Sequence, residues 1–448
     1  MTDINTLAEA DGSYVSRRSF YDEKVFQIER NTVLRKTWQY VAHESEIARP
    51  RDYVTRKLVG DEVIVWRDGK GVVRVLLNSC RHRGVKLCAT DKGNKSHLMC
   101  GYHGWTYASS GELSSVPRAS ELYTCGIDKA KLGLVQARCE IYQGLIFATF
   151  NADAPPLKEM LGDMAWYIDA TFGRFDYEVF GPPVRSIGDF NWKSGAENWT
   201  GDAYHGEITH RSIMDAKLIF DVDDLKRSIG DLGGDIVPNE ATERLAALVF
   251  DAGGGHSGVA YWLPFDYQKP VFPGYEPSIW DEAVARLTPS QLEFAARRTV
   301  ITANVFPNFS FTDDVVQNFG DDAPPTSCFN VRLWYPLSAN LTEVYSWLFV
   351  PKNASKEWKL RSQTALARSF NIGGMLDLDD FHNWNSTSQA NQGPEGMKLL
   401  NDYSAPADNI AEDSPFPGTI YAGTLWDVNF RALYAEWAAR MESAPVDG

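Results

Sequence analysis

Two stretches constrain this chain more than any other part of it: Cys80-x-His82 and, seventeen residues further on, Cys100-x-x-His103. Thiolates and imidazoles are metal ligands, and each pair follows a strand-like run. Each is therefore expected on a loop at a hairpin tip, with a metal pinched between the two loops. Gly84, Gly101 and Gly104 allow tight turns and close backbone approach there. Zinc sites commonly keep like ligands together, Cys beside Cys and His beside His. Here each arm supplies one of each. That suits a two-iron cluster in which one iron takes both sulfurs and the other both imidazoles. A zinc loop with two Cys and two His is the competing reading. Trp105 and Tyr102, beside the second pair, could shield a cluster from solvent.

Composition narrows the setting. A chain of 448 residues exceeds the usual single domain, and its 44% hydrophobic content supplies material for a sizeable core. Its 59 acidic against 44 basic side chains give a net charge of −15, which argues against a nucleic-acid partner. No apolar run suggests a membrane span, and MTDINTLAEADGSYVSRRSF lacks the apolar stretch of a secretory signal. The expected address is the cytoplasm, where thiols stay reduced. Cys88, Cys125, Cys139 and Cys328 show no partner spacing and read as buried thiols.

Along the chain, Ser19 could cap a helix with apolar residues at Val25, Ile28, Val33 and Leu34. DYVTRKLV, EVIVWRD, GVVRVLLNS, HLMC, WTYAS, LSSV and EIYQGLIFATF are then short β runs punctuated by DGKG and SSGE. Residues 38–155 are expected to form a small all-β domain. Residues 1–37 and 156–448 mix helix and strand: LTPSQLEFAARR is helical with Thr288 or Ser290 as cap. TANVFPNFSFT, CFNVRLWYPL and TEVYSWLFVP are strands, the last two suggesting a meander. Helices follow near 357–370 and at WDVNFRALYAEWAARM. The class is α+β with antiparallel sheet.

NSCRHRGVKL, CGYHGWTY and SGELSSVP resemble the Rieske [2Fe–2S] domain of aromatic ring-hydroxylating dioxygenase α subunits, nearest the naphthalene- and biphenyl-dioxygenase-like branch. The resemblance implies a cluster held by Cys80, His82, Cys100 and His103 beside Trp105. It also implies that the small domain is inserted in a larger catalytic domain of helix-grip, START-like fold.

A second motif lies in GAENWTGDAYHGEITH, residues 195–210. Asp202 and His205, three apart, share a helical face. His205 and His210, five apart, fall roughly 140° from one another on a regular helix. Both could bind one metal if the helix is distorted, which Gly206 would make cheap. Two His and a carboxylate with open positions form the facial triad of non-haem Fe(II) oxygenases. In MLDLDDFHNWNS the residues alone leave Asp377, Asp379 and Asp380 as candidates, against the plainer alternative that an acidic run is a solvated loop. The family pattern selects Asp380, with Asn383 behind it and Asp379 as runner-up. Asp202, one turn before His205, could fix that imidazole's tautomer. By resemblance it also bridges to His103 of the partner subunit, which implies a head-to-tail trimer.

The same resemblance implies the reaction. Electrons from NADH arrive through a reductase and a ferredoxin, and O2 is added to an aromatic ring as a cis-dihydrodiol. A smaller β subunit in an α3β3 assembly, or α3 alone, is expected. GDLGGD and DAGGGHSG do not read as a dinucleotide loop, so NADH is assigned to a partner. Asn198 and Asp202 are the expected catalytic residues. Asn198, Trp199, Val300, Thr302, Phe370 and Leu376 are placed near the substrate, a mostly apolar set that favours a neutral mono- or polycyclic arene. Arg298 and Arg368, close in sequence, keep an aromatic acid as an alternative, and monooxygenation or demethylation would use the same two motifs. His256, in GGGHSG, reads as a flexible loop residue near the pocket mouth.

Overall fold

The computed structural model describes residues 7–215, 236–238, 247–263, 265–316 and 324–442; GDLGGD lies outside them. The chain divides into two compact units, Leu34–Leu157 and Met1–Val33 with Lys158–Gly448. Both carry antiparallel sheets, the larger one with helices, as the α+β reading expected.

In the smaller unit, seven strands run in the order Gln39–His43, Leu145–Thr149, Gln136–Tyr142, Val73–Leu77, Asp61–Arg67, Asp52–Leu58 and Lys92–Asn94. A second sheet of three short strands, Leu98–Met99, Thr106–Tyr107 and Leu113–Ser115, carries the second ligand loop at its first hairpin. The first ligand loop joins Val73–Leu77 to Lys92–Asn94, which are not neighbours in their sheet, so it is not a hairpin tip. Tyr53, Ile64, Trp66, Leu76, Leu98 and Tyr107 pack into one core with Cys80, Cys88, Cys100 and Trp105. The ligand loops are thus anchored by the same apolar burial that holds the domain together.

The larger unit is built on a nine-stranded sheet. Eight strands follow the path Tyr177–Val179, Leu341–Pro351, Thr326–Ser338, Phe309–Val316, Arg298–Val305, Ser257–Trp262, Ala247–Asp251 and Thr419–Ala422. Val184–Gly188 also pairs with Leu341–Pro351. Helix Lys356–Ser369 lies on Thr326–Ser338, and the terminal helix Val428–Glu442 on the strands flanking DAGGGHSG. Helix Pro289–Ala295 starts at Thr288, whose hydroxyl and Gln291 form a reciprocal capping box.

Three expectations need correction. The first helical region is split into Arg18–Tyr21 and Glu23–Glu29; Asp22 caps the second, and Ser19 is inside the first, its hydroxyl on the Leu7 carbonyl. Cys125 is exposed and Cys139 half-buried. His256 is not a flexible loop residue. It is buried, accepting at Nδ1 from the Phe306 amide (2.8 Å) and donating from Nε2 to the Met160 carbonyl (3.0 Å). Burial pushes its pKa down to about 4, which keeps it neutral.

One buried ion pair positions the helix that leads into the second motif. Lys193 and Glu29, both sealed from solvent, meet at 2.6 Å. The Trp192 and Trp437 indole N–H groups complete the carboxylate's shell at 2.9 and 2.6 Å. Lys193→Met leaves that carboxylate charged and short of its cation. The expected cost is about 3–5 kcal/mol, read as a lower urea midpoint. Adding Glu29→Gln should recover much of the loss.

Candidate metal centres and substrate cavity

The two cluster loops repeat one local geometry. The Cys80 amide donates to the Val85 carbonyl (2.9 Å) and the Gly84 amide to the Cys80 carbonyl (2.8 Å). Twenty positions on, the Cys100 amide donates to the Trp105 carbonyl (2.8 Å) and the Gly104 amide to the Cys100 carbonyl (3.0 Å). Gly84 and Gly104 close these turns at φ +74° and +71°, where a side chain would be strained; Gly101 needs no such freedom. Both Cys are buried, whereas His103 is exposed and His82 half-buried. The two imidazoles lie edge-on with centroids 4.6 Å apart, and Trp105 stacks on His82 at 4.9 Å. His82 Nδ1 is buried without a hydrogen-bond partner. A buried polar atom costs free energy unless it is bound, so this donor set fits a cluster.

Tyr107 completes the first loop. Its hydroxyl receives the Arg81 amide (2.9 Å) and lies 3.4 Å from Cys80 Sγ, to which it can donate. A hydrogen bond to a ligating sulfur favours the reduced, more negative cluster. Tyr107→Phe is expected to lower the reduction potential by about 40–60 mV, the equivalent of one ordinary hydrogen bond, in an EPR-monitored redox titration.

In the larger unit, helix Trp192–Asn198 is followed by a tight reversal at Gly201, whose φ is +109° and whose missing Cβ would meet Val259 at 2.6 Å. Asp202 then caps helix Ala203–Thr209, its Oδ1 accepting from the His205 amide at 3.2 Å. Asp202 Oδ2 faces His205 Nδ1 at 3.3 Å. The helix ends at Thr209 and His210 leaves it as the cap residue, so the expected distortion falls at His210 and not at Gly206.

MLDLDDFHNWNS is helical, within Met375–Asn391, and not a solvated loop. Asp377 and Asp380, one turn apart, both face inward. Asp377 pairs with Arg332, leaving Asp380 for the two imidazoles. Asp380 Oδ1 is 3.4 Å from His205 Nε2 and 3.4 Å from His210 Nε2, which are 3.1 Å from each other. Asp379 approaches the other side of His210, 3.6 Å from Nδ1. Asn383 donates to the Thr209 hydroxyl at 3.2 Å.

Three donor atoms this close on one side of a point are what a facial metal triad requires. Burial opposes charge on His205, but hydrogen bonds to Asp202 and Asp380 outweigh it and raise its pKa to about 10. Burial likewise disfavours the Asp380 carboxylate, and the two imidazoles overcome it, holding its pKa near about 2. A divalent cation would take over that role from the protons.

These groups close one end of a cavity of about 170 Å³. Of the residues placed near the substrate, Asn198, Trp199, Thr302, Phe370 and Leu376 line it, and Asp202 does too, with Asn198 Nδ2 3.5 Å from His205 Nε2. Val300 shares Thr302's strand and face but is not in the lining. Arg298 is buried beside Asp313 and over the Phe294 ring, and neither it nor Arg368 reaches the cavity. Sequence reasoning missed Gly201, Ala203, Val259, Tyr261, Thr312 and Asp314. The alternation Ser310, Thr312, Asp314 along Phe309–Val316 was the available signal: one wholly polar face, opposite Phe309, Phe311, Asp313 and Val315.

Comparison with known proteins agrees with this geometry. Residues 37–128 match the Rieske [2Fe–2S] domain, and residues 157–402 match the ring-hydroxylating alpha subunit catalytic domain. The N,N-dimethyl phenylurea N-demethylase alpha subunit of Sphingobium sp. (strain YBL2) is 32% identical over 95% of this chain and 90% of its own length. The large oxygenase component of the naphthalene 1,2-dioxygenase system of Pseudomonas aeruginosa is 33% identical over 94% and 90%. The crystal structure of naphthalene 1,2-dioxygenase from Rhodococcus sp. superposes with a TM-score of 0.86 at 32% identity, over 96% of this chain and 95% of that one. A cluster domain followed by a mononuclear-iron domain defines the large component of a multicomponent oxygenase. The chain belongs to the family of ring-hydroxylating dioxygenase alpha subunits, with a Rieske [2Fe–2S] cluster and a mononuclear iron as its cofactors. Among the described residues no helix is long and apolar enough to cross a membrane.

Proposed function

We propose that this chain is the terminal oxygenase that adds O2 across a neutral aromatic ring to give a cis-dihydrodiol, with electrons from NADH delivered by a reductase and a ferredoxin. The observation that carries the reading is the convergence of His205 Nε2, His210 Nε2 and Asp380 Oδ1 on one end of an apolar-walled cavity. Those residues would hold the iron, and Cys80, His82, Cys100 and His103 the cluster. Bound there, the two groups supply one-electron storage and O2 activation. Trp199, Phe370, Leu376 and Val259 hold the ring and exclude water, while Asp202 keeps the His205 imidazole turned with Nε2 inward. Among the described residues no Lys or Arg lines the cavity, which disfavours an aromatic carboxylate. The cavity lies below the usual range of about 300–1,000 Å³ for ligand pockets, which favours one or two rings. Exposure of His103 is consistent with electron exit at the surface toward Asp202 of the partner subunit, in an α3 or α3β3 assembly. The described cysteines form no disulfide with one another, which fits a cytoplasmic protein.

The Sphingobium relative favours a second reading, oxidative N-demethylation at the same site. Turnover of one- and two-ring arenes under ¹⁸O2, with reductase and ferredoxin supplied, separates the two. A diol carrying two labelled oxygens supports ring dioxygenation, and loss of an N-methyl group as formaldehyde supports the second reading. Turnover confined to aromatic acids would sink both.

A further inference from the structure

The cavity holds one group that ring hydroxylation of a plain hydrocarbon does not use. Strand Phe309–Val316 alternates, and its two adjacent carboxylates point opposite ways. Asp313 enters a buried network with Arg174, Arg298, Ser327 and the Tyr275 hydroxyl (2.9 Å). Asp314 lines the cavity with Thr312 and is half-buried. The Thr302 and Thr312 hydroxyls bond to each other at 2.9 Å. Among the described residues no Lys or Arg pairs with Asp314, and the Val315 amide is the one donor drawn to it. Burial, with the Asp313 charge adding to it, raises the Asp314 pKa to about 8. A carboxyl kept in an apolar-walled cavity without a side-chain partner has unused acceptor capacity that a ligand can fill.

We infer that Asp314 is a specificity-determining residue that accepts a hydrogen bond from a nitrogen substituent of the substrate, and that the preferred substrates are aromatic rings bearing an N–H donor, such as arylamines and anilides. The inference rests on the oxygenase reading above and narrows its substrate class. A hydrocarbon fits the cavity walls but leaves the carboxyl unpaired. An arylamine fits the same walls and satisfies it.

The test compares aniline with toluene, which differ by NH2 for CH3 at nearly constant shape. The ratio of their kcat/KM values is measured with the holoenzyme, reductase and ferredoxin. Equilibrium binding of the same pair is measured without turnover. Asp314→Val, suited to a strand, should lower the aniline-to-toluene ratio at least about tenfold, mainly through KM, in both assays. Asp314→Asn, which keeps a carbonyl acceptor, should hold the ratio near the wild-type value. If Asp314→Val does not fold, Asp314→Ala makes the same comparison. A ratio that changes less than about twofold in the folded variant overturns the inference. Naphthalene turnover is the control for the underlying reading. Retained in the variants, it leaves the oxygenase assignment standing whatever the ratio does. Absent in the wild type while the binding ratio shifts as expected, it removes that assignment and leaves the role of Asp314.

Discussion

His205→Ala is expected to abolish product formation, a loss of at least about a thousandfold, with the mononuclear iron gone and the cluster intact. The three donor atoms of the proposed site are separated by 3.1, 3.4 and 3.4 Å, so each supplies one corner of a single small triangle. Two remaining ligands would leave a divalent ion weakly held. The same substitution strips Asp380, a buried carboxylate, of one of the two imidazoles that stabilise its charge. The cluster should not notice. Its ligands sit in a separate unit with its own core, between loops closed by their own backbone hydrogen bonds. Metal analysis should show iron reduced by the mononuclear ion alone, with the EPR signal of the reduced cluster unchanged. A variant that keeps both the iron and the activity would refute the ligand assignment.

The second large effect concerns Asp202. Asp202→Ala is expected to lower steady turnover by at least about a hundredfold, the upper end of what an outer residue behind a metal ligand contributes. Its carboxylate does two local things at once: Oδ1 caps the helix at the His205 amide and Oδ2 meets His205 Nδ1. Those local roles predict a partial loss of iron. The proposed bridge to His103 of the partner subunit predicts something else: a cluster that is reduced normally but reoxidised slowly when substrate and O2 are mixed in. Stopped-flow absorbance of the pre-reduced, iron-loaded variant separates them. Reoxidation at the wild-type rate would confine Asp202 to holding His205.

How much of this was legible in the sequence follows the distance over which each feature is encoded. The cluster loops were readable as local turns because two short segments contain the Cys and His pairs and the turn glycines Gly84 and Gly104, although the first is not a hairpin tip. His205 and His210 were readable for the same reason, although the helix ends at His210 rather than bending at Gly206. The third carboxylate was not readable from residues alone. Three aspartates in MLDLDDFHNWNS are equivalent until helix Met375–Asn391 turns Asp377 to Arg332 and Asp380 to the imidazoles.

The cavity shows the same division. Trp199, Phe370 and Leu376 of its walls were foreseeable by resemblance and Val259 and Tyr261 were not; nor was Asp314, because Asp313 and Asp314 are alike in sequence and differ only in the phase of one strand. That phase is set by pairing with Arg298–Val305 and Thr326–Ser338, which brings Asp314 opposite Val300 and Cys328. A slip of one residue would exchange the buried Arg174 partner for the cavity-facing acid. The sequence by itself therefore determined the chemistry available here, a cluster and a ligand pair for a metal, since both are written in local spacing. Which carboxylate joins the two imidazoles, and which one faces the cavity, was decided by the tertiary structure, because helix rotation and strand register choose a face only when distant segments pack.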